Sequence, residues 1–267
     1  MTSSTFNASS GDGYELQMGR WSRRLAEPFI DFAGVGNGET VLDAGSGTGS
    51  LTFALARRAN GVRIQGIDFS AAYVEHASRG NLNSNISFSV GDICALPFPD
   101  ASFDRVLSLL VLHFVPDTAR AVSELRRVAR PGATVAAAVW DARGGMVAQR
   151  LFWDTAAMLD AKAKEQRARH CTRPMTRPGE LGATWRQAGF TDVRETTLSI
   201  RMEFASFDDY WAPLIGKDGP IPAYVGTLDA SHRDRLREAV RDAYIDGEAD
   251  GPRSYAAVAW AVGGVAR

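Results

Sequence analysis

The sequence predicts an α/β protein built on a doubly wound, mostly parallel sheet with helices on both faces. Three observations carry this. Strand-type and helix-type segments alternate from Val41 to Asp141, the rhythm of βαβ units. Three of the short apolar strands lead into an acidic residue, namely Asp43, Asp68 and Asp92. Glycines at alternate positions (Gly45, Gly47, Gly49) follow the first strand and open a helix, so a ligand can approach the backbone where no Cβ stands in the way.

Met1 to Gly13, rich in Ser, Thr, Gly and Asn, reads as a tail. Residues 14–38 read as helical, with Leu16, Trp21 and Leu25 spaced to pack on a core. Val41 to Ala44 is the first strand and Leu51 to Arg58 its helix. Ile64 to Asp68 is the second strand, followed by a helix from Ala71 to Ser78. Ile86 to Val90 alternates as a third strand, Phe103 to Leu110 is a fourth, and Pro131-Gly132 marks a turn before a fifth, Thr134 to Val139. The rhythm changes after Asp141. Leu151 to Arg169 reads as one long helix ended by the Arg-Pro pairs at 173–174 and 177–178, and Glu180 to Ala188 as another closed by Gly189. Thr196 to Phe204 alternates as a strand, Phe207 to Leu214 and His232 to Ile245 read as helices, and Ser254 to Val262 as a last strand.

Charge and spacing restrict the ligand. A dinucleotide turn needs G-x-G-x-x-G with amides facing a pyrophosphate. Here the spacing is G-x-G-x-G, Ser50 stands at the third glycine's place, and Asp43 would repel phosphate while attracting an ammonium or sulfonium. Asp68 lies 19 residues beyond Gly49, where an acidic residue accepts the hydroxyls of a ribose. Its alternative role is to cap the next helix, which Ser70 fills better. Asp92 is placed to accept from the exocyclic amine of an adenine. A ligand with an amino-acid end, a ribose, an adenine and positive charge matches S-adenosylmethionine.

At this point the chain resembles the class I S-adenosylmethionine-dependent methyltransferases, most of all the ubiquinone/menaquinone-biosynthesis branch. The matching residues are Val41 to Gly49, Ile67-Asp68-Phe69-Ser70, Gly91-Asp92-Ile93 with Leu96 to Asp100, Phe103-Asp104, and Leu125 to Gly132. The resemblance implies a Rossmann-like, seven-stranded sheet whose last two strands form an antiparallel edge pair. It implies an S-adenosylmethionine-binding core over 39–141, lid helices over 14–38, a helical cap over 142–190, and completion of sheet and cap by 191–267. The cofactor would be held by Asp43, Gly45, Ser46, Gly47, Thr48, Gly49, Asp68, Phe69, Ser70, Asp92 and Ile93. Leu109 and Leu110 would flank it at the fourth strand, and Tyr14 or Arg20 would close on its amino-acid end from the lid, with S-adenosylhomocysteine as product.

Methyl transfer from a sulfonium is a direct displacement, so positioning does most of the work and a base is needed only for a poorly nucleophilic acceptor. His113, in the loop after the fourth strand, is the candidate base; its alternative is a histidine packed in that loop or lining the pocket. His170, in the Arg-Pro-rich linker, reads as a lone exposed histidine, with reach to a substrate as its alternative; His76 reads as a surface residue and His232 as a helix-start residue. Trp21, Trp153, Trp185 and Trp211 would either wall an acceptor pocket or fill the core.

The totals exclude other classes. The 267 residues carry a net charge of −1 with 45% hydrophobic content, and the basic stretch Lys162 to Arg177 reads as a solvated face, so a nucleic-acid partner is not expected. Two cysteines suit a reducing cytoplasm, with Cys94 as a small buried residue, and no spacing suggests a metal site. No apolar run is long enough to span a membrane, and no secretory signal opens the chain. The expected protein is a cytoplasmic methyltransferase acting at carbon or oxygen of a small organic acceptor such as a quinone, a phenol or another secondary metabolite. Monomer and homodimer stay equally open. A non-catalytic S-adenosylmethionine-binding protein is the alternative, and an NAD(P)-dependent oxidoreductase the more remote one.

Overall fold

The computed structural model describes residues 4–6 and 10–267. Seven strands form one sheet: β1 (Thr40–Ala44), β2 (Arg63–Asp68), β3 (Ile86–Val90), β4 (Phe103–Leu109), β5 (Ala129–Trp140), β6 (Thr191–Phe204) and β7 (Arg253–Val265). Their order is β3-β2-β1-β4-β5-β7-β6. The first five pair in parallel, and β7 runs antiparallel to both β5 and β6. This is the Rossmann-like, seven-stranded sheet with an antiparallel edge pair that the resemblance implies. The order reverses between β1 and β4, and ligands of such sheets sit at that switch, beyond the carboxyl ends of the strands.

Successive residues of the inner strands serve opposite faces, as the period of 2 requires. Val41, Leu107, Ala136 and Ala138 join one core, with α2 (Arg20–Ala33) and α3 (Ser50–Arg58). Leu42, Val106, Val135 and Ala137 join the other, with α5 (Thr118–Val128) and α8 (Glu180–Gln187). Between α3 and α5, α4 (Ala71–Arg79) follows β2.

The N-terminus departs from the expected tail over 1–13. Residues 1–3 and 7–9 lie outside the described ones. Thr5 donates its backbone N–H to Phe114 O at 2.9 Å, and Gly11 already opens the short helix α1 (Gly11–Tyr14). A π-helical segment, Glu15–Gly19, joins α1 to α2. Its wider turn shifts the helical phase. Leu16 is consequently half exposed, whereas Trp21 and Leu25 are buried as expected.

The expected helix from Leu151 to Arg169 is two helices, α6 (Val147–Leu159) and α7 (Ala161–Cys171). Asp160 is extended (φ −144°, ψ 130°) and accepts from the Lys162 N–H at 3.0 Å and the Tyr224 hydroxyl at 2.8 Å, so it breaks one helix and caps the next. The fifth strand starts at Ala129 instead of Thr134, so Pro131-Gly132 is an irregularity inside it. β6 starts five residues early, at Thr191. The helix expected over Phe207 to Leu214 is α9 (Phe207–Trp211) followed by a 3-10 turn, and α10 (Pro220–Val225), unread in the sequence, precedes α11 (Ala230–Ile245).

The residues expected as a cap over 142–190 divide. Phe152 and Trp153 of α6 pack with Tyr224 of α10, and Phe152 also meets Trp211 of α9. By contrast α8 lies against the sheet: Trp185 is fully buried, stacks on Phe190, and donates its indole N–H to Val135 O at 3.1 Å. Among the described residues no helix is long and apolar enough to cross a membrane, and no cluster of His, Cys, Asp or Glu could hold a metal ion.

Candidate functional site

A cleft opens at the switch point, beyond the carboxyl ends of β1, β2 and β4, where sheets of this order bind their ligands. Of the residues expected to hold one, Tyr14, Gly45, Gly47, Asp68, Phe69, Asp92, Ile93, Leu109 and Leu110 line it. The glycine turn is folded onto the end of β2. Gly45 N–H and Ser46 N–H both donate to Ile67 O (2.8 and 2.9 Å), Gly47 N–H donates to Asp68 Oδ2 (2.9 Å), and Gly49 N–H donates to Ser46 O (2.9 Å). Four amides that a dinucleotide turn would turn toward a pyrophosphate are therefore engaged inside the protein.

Asp68 is buried at the cleft floor; its second oxygen accepts from Ser70 N–H at 2.9 Å. Ser70 caps α4 itself, accepting from Tyr73 N–H, which frees Asp68 from that duty. Burial raises the Asp68 carboxyl above its usual range against the two backbone hydrogen bonds. Asp92 faces the cleft and accepts from Cys94 N–H at 2.8 Å. Cys94 is buried, and burial pushes its thiol up to about 11, so it stays a protonated, inert side chain.

Asp43, Ser46, Thr48, Gly49 and Ser70 lie behind the cleft wall rather than on it. Asp43 is buried beneath the glycine turn, where its Oδ2 accepts from the Thr52 hydroxyl at 2.6 Å while Oδ1 has no partner. Burial pushes its carboxyl up to about 7, with the nearby Asp68 adding to the rise and the Thr52 bonds opposing it. The Thr48 hydroxyl donates to Glu15 at 2.5 Å. Arg20 is elsewhere: it pairs with Asp209 at 3.2 Å and lies over the Trp21 ring, turned away from the cleft just after the π-helical segment.

Sequence reasoning missed the aromatic walls. Phe6 meets Phe114 edge-on at 4.8 Å, and Tyr14 packs on Tyr73 at 5.4 Å, with all four rings on the cleft. Tyr14 also bonds Ser22 at 2.8 Å. Such faces attract a cation as well as stack on a base. Phe114 and Val115 were within reach of inference, since the loop after β4 stands at the ligand edge; Phe6 and Tyr73 carried no local signal.

Comparison with known proteins assigns one stretch of the chain. Residues 42–137 match the family model described as a methyltransferase domain. This stretch is a class I S-adenosylmethionine-dependent methyltransferase domain. A malonyl-[acyl-carrier protein] O-methyltransferase of Erwinia pyrifoliae is 42% identical over 113 residues, 42% of each chain. A 27-O-demethylrifamycin SV methyltransferase of Amycolatopsis mediterranei is 34% identical over 117 residues, 42% of this chain and 43% of that one. The chain thus spans less than half the length of these curated relatives. The solved phosphoethanolamine N-methyltransferase 2 of Haemonchus contortus, in complex with S-adenosyl-L-methionine, shares the fold with a TM-score of 0.60 at 16% identity, over 96% of this chain and 57% of that one.

A second cavity adjoins the cleft of the methyltransferase domain and shares Phe6, Tyr14, Leu110 and Phe114 with it. Leu110, a leucine at φ +65°, turns the chain between the two. His113 lines this second cavity, buried, with its ring 4.0 Å from that of Phe114 and its Nδ1 unpartnered. Burial, then the Arg173 charge, hold His113 well below the usual histidine range, so it is neutral at pH 7. His170, expected to be exposed, is 5% exposed and lines the same cavity, because α7 turns it inward beside Trp153. Burial brings it down to about 3. Trp21, Trp153, Trp185 and Trp211 all pack in the core; the cavity's indole belongs to Trp140.

Proposed function

We propose that the protein transfers the methyl group of S-adenosylmethionine to a small organic acceptor seated in the second cavity. The observation that carries this is the chemistry of the cleft: three acidic strand ends around a glycine turn whose amides are already engaged. That arrangement suits a cationic, phosphate-free cofactor and opposes a dinucleotide. The bound cofactor supplies an activated methyl group on a sulfonium. Asp68 would accept from the ribose hydroxyls, Asp92 from the adenine amine, and the turn over Asp43 would hold the amino-acid end. The aromatic rings at the boundary of the two cavities exclude water from the transfer and face the positive charge. His113, neutral and with a free Nδ1, is placed to accept a hydrogen bond or a proton from an acceptor hydroxyl. The adjoining cavity favours a transferase over a protein that only binds the cofactor. The acceptor's atom, oxygen or carbon, follows from whatever that cavity holds.

Calorimetric titration tests the reading. S-adenosylmethionine and S-adenosylhomocysteine should bind and NAD and NADP should not; tight NADP binding without S-adenosylhomocysteine binding would overturn it.

The same titration has an expected pH dependence. The ligand-free protein holds Asp43 partly protonated near pH 7, because burial disfavours its charge. An ammonium nearby favours the carboxylate, so binding releases a proton and affinity rises with pH. A carboxyl titrating near 7 in the free protein and ionised in the complex gives about a tenfold gain from pH 6 to pH 8. Asp43→Asn should flatten the profile over that range. A flat profile in the parent protein would mean that Asp43 stays in one protonation state throughout.

A further inference from the structure

Among the apolar walls of the second cavity stand several groups that donate or carry positive charge. Arg173, Trp140, His170 and His113 all border it, and none of its described lining residues is an aspartate or glutamate. Arg173 lies over the Phe114 ring at 4.5 Å, and its guanidinium makes no hydrogen bond or ion pair among the described residues. Arg173 is half-buried, and a partly desolvated guanidinium without a carboxylate partner is costly to leave so. Burial draws Arg173 down to about 10, the direction expected of a cation that lacks its counter-charge. Trp140 Nε1 and both ring nitrogens of His170 are buried without partners, although His170 is 5% exposed and borders the cavity. Both histidines are held neutral, so among the described lining residues the positive charge comes from Arg173 alone. Each histidine can still donate through a ring N–H.

We infer that the acceptor is an organic acid, and that Arg173 is the residue that selects it by pairing with its carboxylate, with Trp140 and His170 donating to the remaining lone pairs. This rests on the cofactor reading above and narrows its acceptor. A planar guanidinium stacked on an aromatic ring is preoriented for a two-pronged contact with a carboxylate. A neutral isostere would leave that charge unpaired, which is the stronger part of the discrimination. Arg173 acts on binding and selectivity; the transfer itself is left to positioning at the Phe114 and Leu110 boundary.

The test uses two matched pairs, benzoate against benzamide and 4-hydroxybenzoate against 4-hydroxybenzamide, titrated by ligand-observed NMR into the full chain with and without saturating S-adenosylhomocysteine. The parent protein should bind each acid at least about tenfold more tightly than its amide. Arg173→Gln should abolish that preference by weakening the acids alone, and Arg173→Lys should keep part of it. S-adenosylhomocysteine affinity should stay within about twofold in both variants, which also reports that they fold. Equal affinity for acid and amide in the parent, a preference that survives Arg173→Gln, or no acid binding by about 10 mM would each overturn the assignment. If S-adenosylhomocysteine itself fails to bind the parent, the cofactor reading falls, and the acid–amide comparison in its absence still decides the role of Arg173.

Discussion

Asp68→Ala should weaken S-adenosylhomocysteine binding by about 3 kcal/mol, more than a hundredfold in Kd, since two charge-assisted hydrogen bonds to the ribose would be lost. The carboxylate now accepts one backbone N–H on each oxygen, from Gly47 and Ser70. A carboxylate offers about four lone-pair sites, so it retains capacity for two hydroxyls. Alanine would remove the ribose partner and also release the Gly47 amide that holds the glycine turn in place. The two effects separate in Asp68→Asn, which keeps the size and one acceptor oxygen but loses the charge. Calorimetry with thermal melts of all three proteins is the measurement. An Asp68→Ala protein that melts like the parent and binds S-adenosylhomocysteine as tightly would confine Asp68 to ordering its own turn.

Gly47→Val should abolish measurable cofactor binding while leaving the fold standing. Gly47 sits at φ +55°, and a Cβ there meets no atom within 4 Å. The valine would not collide with the protein; it would extend into the space the ligand needs. Its cost to folding is the left-handed backbone, about 1–2 kcal/mol. Gly45 is the contrasting position. At φ +83°, its Cβ would stand 2.3 Å from Val111 Cγ2, so Gly45→Val strikes the packing of the turn itself. Melting curves should show Gly47→Val mildly and Gly45→Val strongly destabilised. If Gly47→Val binds S-adenosylhomocysteine within about fivefold of the parent, the turn does not face the cofactor.

The parallel half of the sheet was legible because its signals are local. An apolar run, an acidic end and a glycine or proline boundary recur from Val41 to Asp92, and the strand alternation survives as the two-faced burial of Val41 against Leu42. The helix break at Asp160 was not legible. Helix-forming alanine, lysine and arginine continue across it, and the side chain that completes the break is Tyr224, 64 residues away. Arg20 and Leu16 were misplaced for a related reason, since the wide turn over Glu15–Gly19 leaves no mark in hydrophobic spacing. Asp43 reads correctly as an acidic strand end, yet it lies beneath the turn, a depth that only packing determines. His170 and Arg173 belong to what reads as a solvated basic face. The burial of His170 and the half-burial of Arg173 depend on α7 and the following loop folding back over the loop after β4, which no periodicity encodes.

Of the described residues lining the second cavity, only Leu110, His113 and Phe114 fall inside the stretch 42–137 shared with the wider family. Its other walls come from Phe6, Tyr14, Gln17 and Met18 before that stretch, and from Trp140, Ala142, Gln149, His170, Arg173, Pro220 and Ile221 after it. On the proposed reading, acceptor choice is therefore written largely in the flanking parts of the chain, with Phe6, Tyr14, Leu110 and Phe114 common to both cavities. Substitutions can accumulate in the flanking walls and retune the acceptor while the strand ends at Asp43, Asp68 and Asp92 stay untouched. A graft of the flanking segments from one relative onto the shared stretch of another would carry selectivity with it.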